Sequence, residues 1–392
     1  MKPRRIGIDW CKEWPPTLDS LRFGVVRYGA DLLRGMYRIR PDLEVIVYSP
    51  QREPHPALAE IPWGRNGWQW RWHPSLSPRL QWLSHAVRRS YTALADQLDV
   101  IHCLEQAPTP FSTVPYVSTC FDLMPELFRE AYTASQGYRR LRRFGQRRWV
   151  HHVAISQCTR NDLIRLWRLP AERVSLARLA TSFFPPAAQV DNDVWTRLAP
   201  RLRDPDAPFL AAVFNLLPRK NLDALLAAFA SLGADCPKLR LVLYGRTGDL
   251  PDRRQWFERT VDELGIRQRI DMLDPVDDAE MAELYRRSSA YVFPSLYEGF
   301  GLPVLEAMSV GGCVIARNAS AMAEIVHDAG ILTETAEPAC LANAIRTAID
   351  DPVRNQALRA AAIERAQSFT IEKLARETLS AYDRAIASWN GA

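Results

Sequence analysis

Short apolar runs alternate along this chain with stretches whose apolar residues recur at helical spacing. "RIGIDW" (Arg5 to Trp10) passes through a turn into "VVRYGADLLRGMYRI" (Val25 to Ile39), which has the period of a helix. "LEVIVYS" (Leu43 to Ser49), "LDVIHC" (Leu98 to Cys103) and "VPYVSTCFD" (Val114 to Asp122) are short β-rich runs. "WVHHVAISQCTRNDLIRLW" reads as strand, cap and helix, with Ser156 or Thr159 as the cap. Strands alternating with helices predict a parallel, doubly wound sheet, since parallel neighbours need a crossover and the crossover is helical.

After "ATSFFPPAAQVDNDVW" the pattern weakens, and "RLRDPDAP", rich in proline and charge, predicts a linker over 189–207. The alternation then restarts. "FLAAVFNLL" (Phe209 to Leu217), "LRLVLYG", "AYVFPS" and "CVIAR" are strands; "NLDALLAAFASL", "DAEMAELYRRSS" and "PVLEAMSV" are helices. The fold class is therefore α/β with two doubly wound sheets, one over 1–188 and one over 208–372. The tail 373–392, most of it in "TIEKLARETLSAYDRAIASW" (Thr370 to Trp389), is a final amphipathic helix.

Composition supports this division. The 392 residues, 47% hydrophobic and 24% charged, are enough for two full cores. No apolar run is long enough to cross a bilayer, and "MKPRRIGIDW" lacks a signal-peptide core, so the expected location is cytoplasmic. Seven scattered cysteines without a CxxC pair argue against a zinc knuckle and a disulfide framework, and read as reduced core thiols. Charge is uneven: residues 1–200 hold 28 Lys+Arg against 18 Asp+Glu, the remainder 22 against 27. A basic first half suggests an anionic partner such as a membrane surface, a phosphate-bearing lipid or nucleic acid. Most of the tryptophans fall in the same half, among them Trp10, Trp14, Trp63, Trp68, Trp70, Trp72, Trp82, Trp149 and Trp167. They suit a bilayer interface or a sugar platform, with ordinary core packing an equal alternative.

The chemistry concentrates in "FPSLYEGFGLPVLEAM", where seven residues separate Glu298 from Glu306. Pro303 suits the first turn of a helix, which predicts a helix beginning near Leu302. The amides of Gly299, Phe300 and Gly301 then lie at the positive end of the helix dipole, an arrangement that suits a phosphate. A carboxylate repels phosphate, so the two glutamates are better placed as hydroxyl acceptors on either side of it. Glu298 could hold a sugar hydroxyl and Glu306 the ribose of a nucleotide. Taken alone, the spacing fits as readily a helix-start acid and a surface acid. "LLPRKNLDALLAAF" adds Arg219 and Lys220 at a second strand-to-helix turn, where two cations can neutralise a diphosphate.

Together "FPSLYEGFGLPVLEAM" and "PRKNLDALLAAF" resemble the retaining glycosyltransferases of family GT4, which have the GT-B fold. "LRLVLYGRTG", "DDAEMAELYRRSSAYVFPSLYEGFG" and "NASAMAEIVHDAGIL" carry the resemblance over nearly all of 205–375. "DVIHCLEQAPTP", "CFDLMP" and "HHVAISQCTRNDL" extend it less tightly over the first domain. The resemblance implies two Rossmann-like domains facing a cleft, with the last helix returning to the first domain. It implies that Glu298 holds the donor sugar with the Phe300, Gly301 and Leu302 amides nearby, that Glu306 binds ribose, and that Arg219 and Lys220 bind the diphosphate. Gly24, in "RFGVVRY", matches the first loop that approaches the diphosphate, and Asp122 counts with the catalytic set. No metal or other cofactor is needed in this family, and "DPD" at Asp204 to Asp206 is read as a turn.

The implied reaction is transfer of a hexosyl or 6-deoxyhexosyl group, of mannose, fucose or rhamnose type, from a nucleoside-diphosphate sugar to a glycan or lipid-linked glycan in surface polysaccharide synthesis. Partners would be donor and acceptor, with no nucleic acid. "YRRLRRFGQRRWVHH" could lie on an anionic membrane, making the protein peripheral on its cytoplasmic face, or pack Leu141 and Trp149 inward with its arginines solvated. One departure bears on the donor: Phe121 stands before Asp122 where the family commonly has histidine, so no hydrogen bond is available there. Phe214 and Asp274 replace usual glycines, and Cys313 a usual proline. An epimerase on the same fold and a sugar-nucleotide-binding protein without transferase activity are the alternatives. A dehydrogenase is disfavoured because no GxGxxG follows the first strand.

Overall fold

A computed structural model describes residues 5–10, 24–73, 92–105, 112–128, 136–181, 192–245 and 251–389. The chain divides into two compact units, Met1–Phe183 with Phe369–Ala392, and Phe184–Ser368.

In the first unit seven strands form one all-parallel sheet: β1 (Arg5–Asp9), β2 (Glu44–Ser49), β3 (Trp68–Trp72), β4 (Val100–Cys103), β5 (Tyr116–Cys120), β6 (Val150–Ala154) and β7 (Val174–Leu176), in the order β3-β2-β1-β4-β5-β6-β7. Ile6 pairs with Val45 on one side and Val100 on the other. The described helices are α1 (Gly24–Ile39), the short α2 (Met124–Leu127), α3 (Gln136–Gly145) and α4 (Gln157–Leu166). Ser156, rather than Thr159, caps α4: its Oγ accepts from the Thr159 amide at 3.0 Å.

The second unit contains α5 (Asn192–Leu198), β8 (Phe209–Val213), α6 (Leu222–Ser231), β9 (Arg240–Tyr244), α7 (Pro251–Glu263), β10 (Ile270–Leu273), α8 (Asp278–Arg287), β11 (Ala290–Phe293), α9 (Leu302–Ser309), β12 (Val314–Arg317), α10 (Ser320–Val326), β13 (Ile331–Thr333), α11 (Pro338–Asp350) and α12 (Pro352–Ala366). Its six strands are parallel, in the order β10-β9-β8-β11-β12-β13. Aliphatic residues are buried at alternate positions on both faces of the sheet, Leu210, Leu241 and Val292 on one and Ala211, Val242 and Val314 on the other.

The last helix, α13 (Ile371–Ala387), packs within the first unit. It lies against α1 at Gly35, where an added Cβ would come within 2.2 Å of the Ile371 carbonyl oxygen. Tyr382, Glu377 and Arg384 fasten it to His102, to the Arg178 amide and to Ser175.

In its described residues the stretch read as a linker carries regular structure, α5 with a 3-10 turn after it; Trp195 stacks on Phe209 and Arg201 pairs with Glu280 at 2.9 Å. Those long-range contacts outweigh its proline and charge. The tryptophans are chiefly core: Trp10, Trp68 and Trp167 are fully buried, Trp63 and Trp70 pack edge to face at 5.3 Å, and Trp72 is half exposed. Trp14 and Trp82 lie outside the described residues. The six described cysteines are unbridged, and Cys103, Cys120 and Cys313 are buried. Among the described residues no helix is long and apolar enough to cross a membrane.

Candidate functional site

Strand order fixes where a ligand can enter. In the second sheet the chain first moves outward from β8 to β9 and β10, then returns to the other side of β8 with β11, so the loops after β8 and β11 part at a switch point. Open parallel sheets bind ligands beyond their strands' carboxyl ends at such a point. Arg219 and Lys220 follow β8, and Glu298 follows β11.

These three side chains meet. Glu298 Oε1 accepts from Arg219 Nη1 at 3.0 Å, from Lys220 Nζ at 2.5 Å and from Ser295 Oγ at 2.6 Å. Lys220 Nζ also lies 4.9 Å from the centre of the Phe293 ring. Burial holds the Lys220 pKa below the ordinary lysine value, the Glu298 charge only partly offsetting it. The two loops are stitched by backbone as well: the Leu296 amide donates to the Arg219 carbonyl at 2.7 Å. Arg317, at the end of β12, donates to the Leu296 carbonyl at 3.2 Å.

Backbone conformation frames the cluster. Asn221, Gly301 and Ser320 have φ of 55°, 107° and 53°. Gly301 is the N-cap of α9, and its left-handed φ calls for glycine; an added Cβ would also meet the flexible end of Met322, Cε, at 2.1 Å. Ser320 holds the Glu298 amide through its Oγ at 3.2 Å. Left-handed non-glycine residues cost free energy and gather where surroundings over-determine them.

Helix α9 begins at Leu302, as the proline predicts, with Phe300 buried ahead of it. Glu306 lies one turn in and is buried. Nearby, Tyr244 Oη donates to Tyr285 Oη at 2.7 Å. Burial above all, with the Glu306 charge adding to it, pushes the hydroxyls of Tyr244, Tyr285 and Tyr291 well above the ordinary tyrosine range. They remain neutral beside the carboxylate.

In the first unit Phe121 and Asp122 follow β5. The Phe121 ring meets Tyr28 edge to face at 5.4 Å, its carbonyl accepts from Thr159 Oγ1 at 3.2 Å, and Asp122 Oδ1 accepts from the Met124 amide at 2.9 Å. Gly24 is the first residue of α1 rather than part of a loop, and 11–23 before it lie outside the described residues. The basic segment divides: Tyr138 and Leu141 pack against the cluster around Trp167, Arg142 pairs with Glu126 at 2.8 Å, and Arg139, Arg143, Arg147 and Arg148 are exposed.

The sequence motifs identified Arg219, Lys220 and Glu298 but not Ser295, Ser320, Phe293 or Arg317. Only Ser295 carried a signal, as the hydroxyl directly after the strand and its proline.

Two family models match the chain, glycosyl transferases group 1 over residues 194–369 and Glycosyltransferase Family 4 over 24–178. The O-antigen chain mannosyltransferase B of Escherichia coli is 29% identical over 75% of this chain and 77% of that protein. A D-inositol 3-phosphate glycosyltransferase of Stackebrandtia nassauensis is 32% identical over 57% of this chain and 52% of its own. A serotype-specific mannosyltransferase WbdA of Escherichia coli, 25% identical over 71% of this chain, is matched over 35% of its length. Among solved structures, a glycosyltransferase of Rickettsia africae has a TM-score of 0.73 at 14% identity, covering 97% of this chain and 98% of that one. HepE of Anabaena, in complex with UDP-glucose, has a TM-score of 0.70 at 21% identity over 96% and 99%. These structures share the fold, two parallel-sheet Rossmann-like domains of GT-B type.

Proposed function

The chain belongs to the group 1, family 4 glycosyltransferases, and on that premise we propose that it transfers a hexosyl group, of mannose type first, from a nucleoside-diphosphate sugar to a glycan or lipid-linked glycan, with retention at C1 and without a metal. The observation that carries this reading is the meeting of Glu298, Arg219 and Lys220 at the switch point of the second sheet. Arg219 Nε is sealed from solvent and lacks an acceptor among the described residues, so the protein leaves this guanidinium incompletely satisfied.

In the proposed reaction the acceptor hydroxyl attacks C1 on the face from which the diphosphate leaves, and the leaving oxygen takes the acceptor's proton. Arg219, Lys220 and the amides at the start of α9 stabilise the charge on the diphosphate, doing the work a divalent cation would otherwise do. Glu298 holds the sugar while positive charge develops at C1, and Glu306 holds the ribose. Phe121, which stands where the family commonly has histidine and has no hydrogen-bonding side chain, keeps a 6-deoxy donor as the second candidate, with a preference of about 1 to 3 kcal/mol at most. The two mannosyltransferases among the relatives support mannose type, and the O-antigen chain enzyme supports surface polysaccharide. Exposed Arg139, Arg143, Arg147 and Arg148 support a peripheral position on an anionic cytoplasmic membrane face.

A panel of nucleotide sugars, including GDP-mannose, its 6-deoxy counterpart and UDP-glucose, tests the reading by calorimetric binding and slow hydrolysis in EDTA. Binding and turnover of at least one donor are expected, with the C1 configuration preserved in the product. Binding of none, or turnover abolished by EDTA and restored by magnesium, would overturn it.

A further inference from the structure

Three donors converge on one oxygen of Glu298, and among the described residues none reaches the other. Arg219 Nη1, Lys220 Nζ and Ser295 Oγ all lie within 3.0 Å of Oε1. A carboxylate oxygen offers about two lone-pair directions, so Oε1 is saturated. Two cations sharing one carboxylate relieve crowding by taking an oxygen each, an arrangement that would leave neither oxygen for a ligand. The third donor prevents it. Ser295 is 1% exposed and has a single hydroxyl proton; its other acceptors, the carbonyls of Arg219 and Tyr297, lie at 3.1 and 3.4 Å, so the carboxylate at 2.6 Å is preferred. The glutamate backbone is held by Ser320 Oγ, which accepts from its amide. Glu298 keeps 11% side-chain exposure, and Oε2 is not among the sealed unpaired atoms.

We propose that the two oxygens of Glu298 have separate roles, Oε1 an anchor to the protein and Oε2 the acceptor for a sugar-ring hydroxyl of the donor, and that Ser295 is the positioning residue that keeps them apart. The proposal rests on the donor-site reading above and specifies how that site reads a sugar. Neutral Ser295 adds no charge to the diphosphate cradle. Its removal therefore disturbs the hydroxyl contact and leaves phosphate binding in place.

The test compares Ser295→Ala, Ser295→Thr and Glu298→Gln with the wild type, using the donor selected by the panel and its 3-deoxy and 4-deoxy analogues. The wild type is expected to disfavour one deoxy donor by about tenfold or more in kcat/KM, because a site built for a hydroxyl rejects its absence. Ser295→Ala should lower kcat for the parent donor by about fivefold, with KM within about twofold, and leave the rate with that deoxy donor unchanged, so that the preference collapses. Ser295→Thr, which keeps the hydroxyl, should restore it. A Ser295→Ala variant slowed equally with parent and deoxy donors would show a merely structural serine and overturn the proposal while the donor-site reading stands. Full activity of Glu298→Gln with the parent donor, or turnover of no donor, would overturn the donor-site reading and the proposal with it.

Discussion

The two sheets place loops at their carboxyl edges in similar ways, yet what gathers there differs. Beyond β8 and β11, two cations and a serine converge on a single carboxylate oxygen. Beneath Phe121, which follows β5, the first unit instead buries a neutral chain. Tyr382 Oη meets His102 Nδ1 at 2.6 Å, His102 Nε2 meets Thr119 Oγ1 at 2.7 Å, and Thr119 meets Tyr28 Oη at 2.8 Å. Burial lowers the His102 pKa to about 3, so the chain carries no charge at neutral pH. One edge is organised to meet a change of charge, and the other to hold an aromatic ring still. Charge at an edge is therefore the better guide to where bonds break, and buried neutral hydrogen bonds to where shape is fixed.

The largest expected effect is at Lys220. Lys220→Ala should lower kcat/KM by about a hundredfold, the scale of removing one group that stabilises transition-state charge. Because burial depresses its pKa, the ammonium is lost sooner than that of an ordinary lysine as pH rises, and donor affinity falls with it. A Lys220→Arg variant, charged throughout, should retain affinity to higher pH, checked by the alkaline limb of kcat/KM. Next in size, Glu298→Ala should cut kcat by more than about tenfold, measured by initial rates beside a melting curve. Glu306→Ala should mainly raise the donor KM by about fivefold while kcat stays near normal. Smallest for binding is the opposite edge: Thr119→Val removes two buried hydrogen bonds and should cost about 1 to 3 kcal/mol in denaturant unfolding, with donor affinity unchanged. A strong loss of donor affinity in that variant would erase the distinction between the edges.

What was legible in the sequence follows the same division. Glu298, Arg219 and Lys220 stand in short motifs whose spacing and turn residues announce a strand, a loop and a helix start. The helix at Leu302 was placed by Pro303 alone. The neutral chain was invisible because Tyr382 and His102 are 280 residues apart and neither carries a local pattern. Strand β3 is obscure for another reason: "WQWRW" alternates as a strand does, but its tryptophans fit a ligand platform and core packing equally, and only the fold shows Trp68 buried against Tyr37. Helix α5 was hidden by prolines on both sides, and Trp195 finds its partners, Phe209 and Arg287, only in the folded unit. The left-handed backbone at Ser320 has no sequence signature at all.

The central claim is that Arg219 and Lys220 form the diphosphate end of a nucleotide-sugar site, with Glu298 beside them holding the sugar. Its most direct test is calorimetric titration of the wild type and of Lys220→Ala with nucleoside diphosphates and their monophosphates, GDP against GMP and UDP against UMP. The wild type should bind one diphosphate more than about tenfold tighter than its monophosphate, and Lys220→Ala should lose most of that advantage while monophosphate affinity stays the same. Equal affinities for diphosphate and monophosphate in the wild type, or a preference that survives in Lys220→Ala, would contradict it.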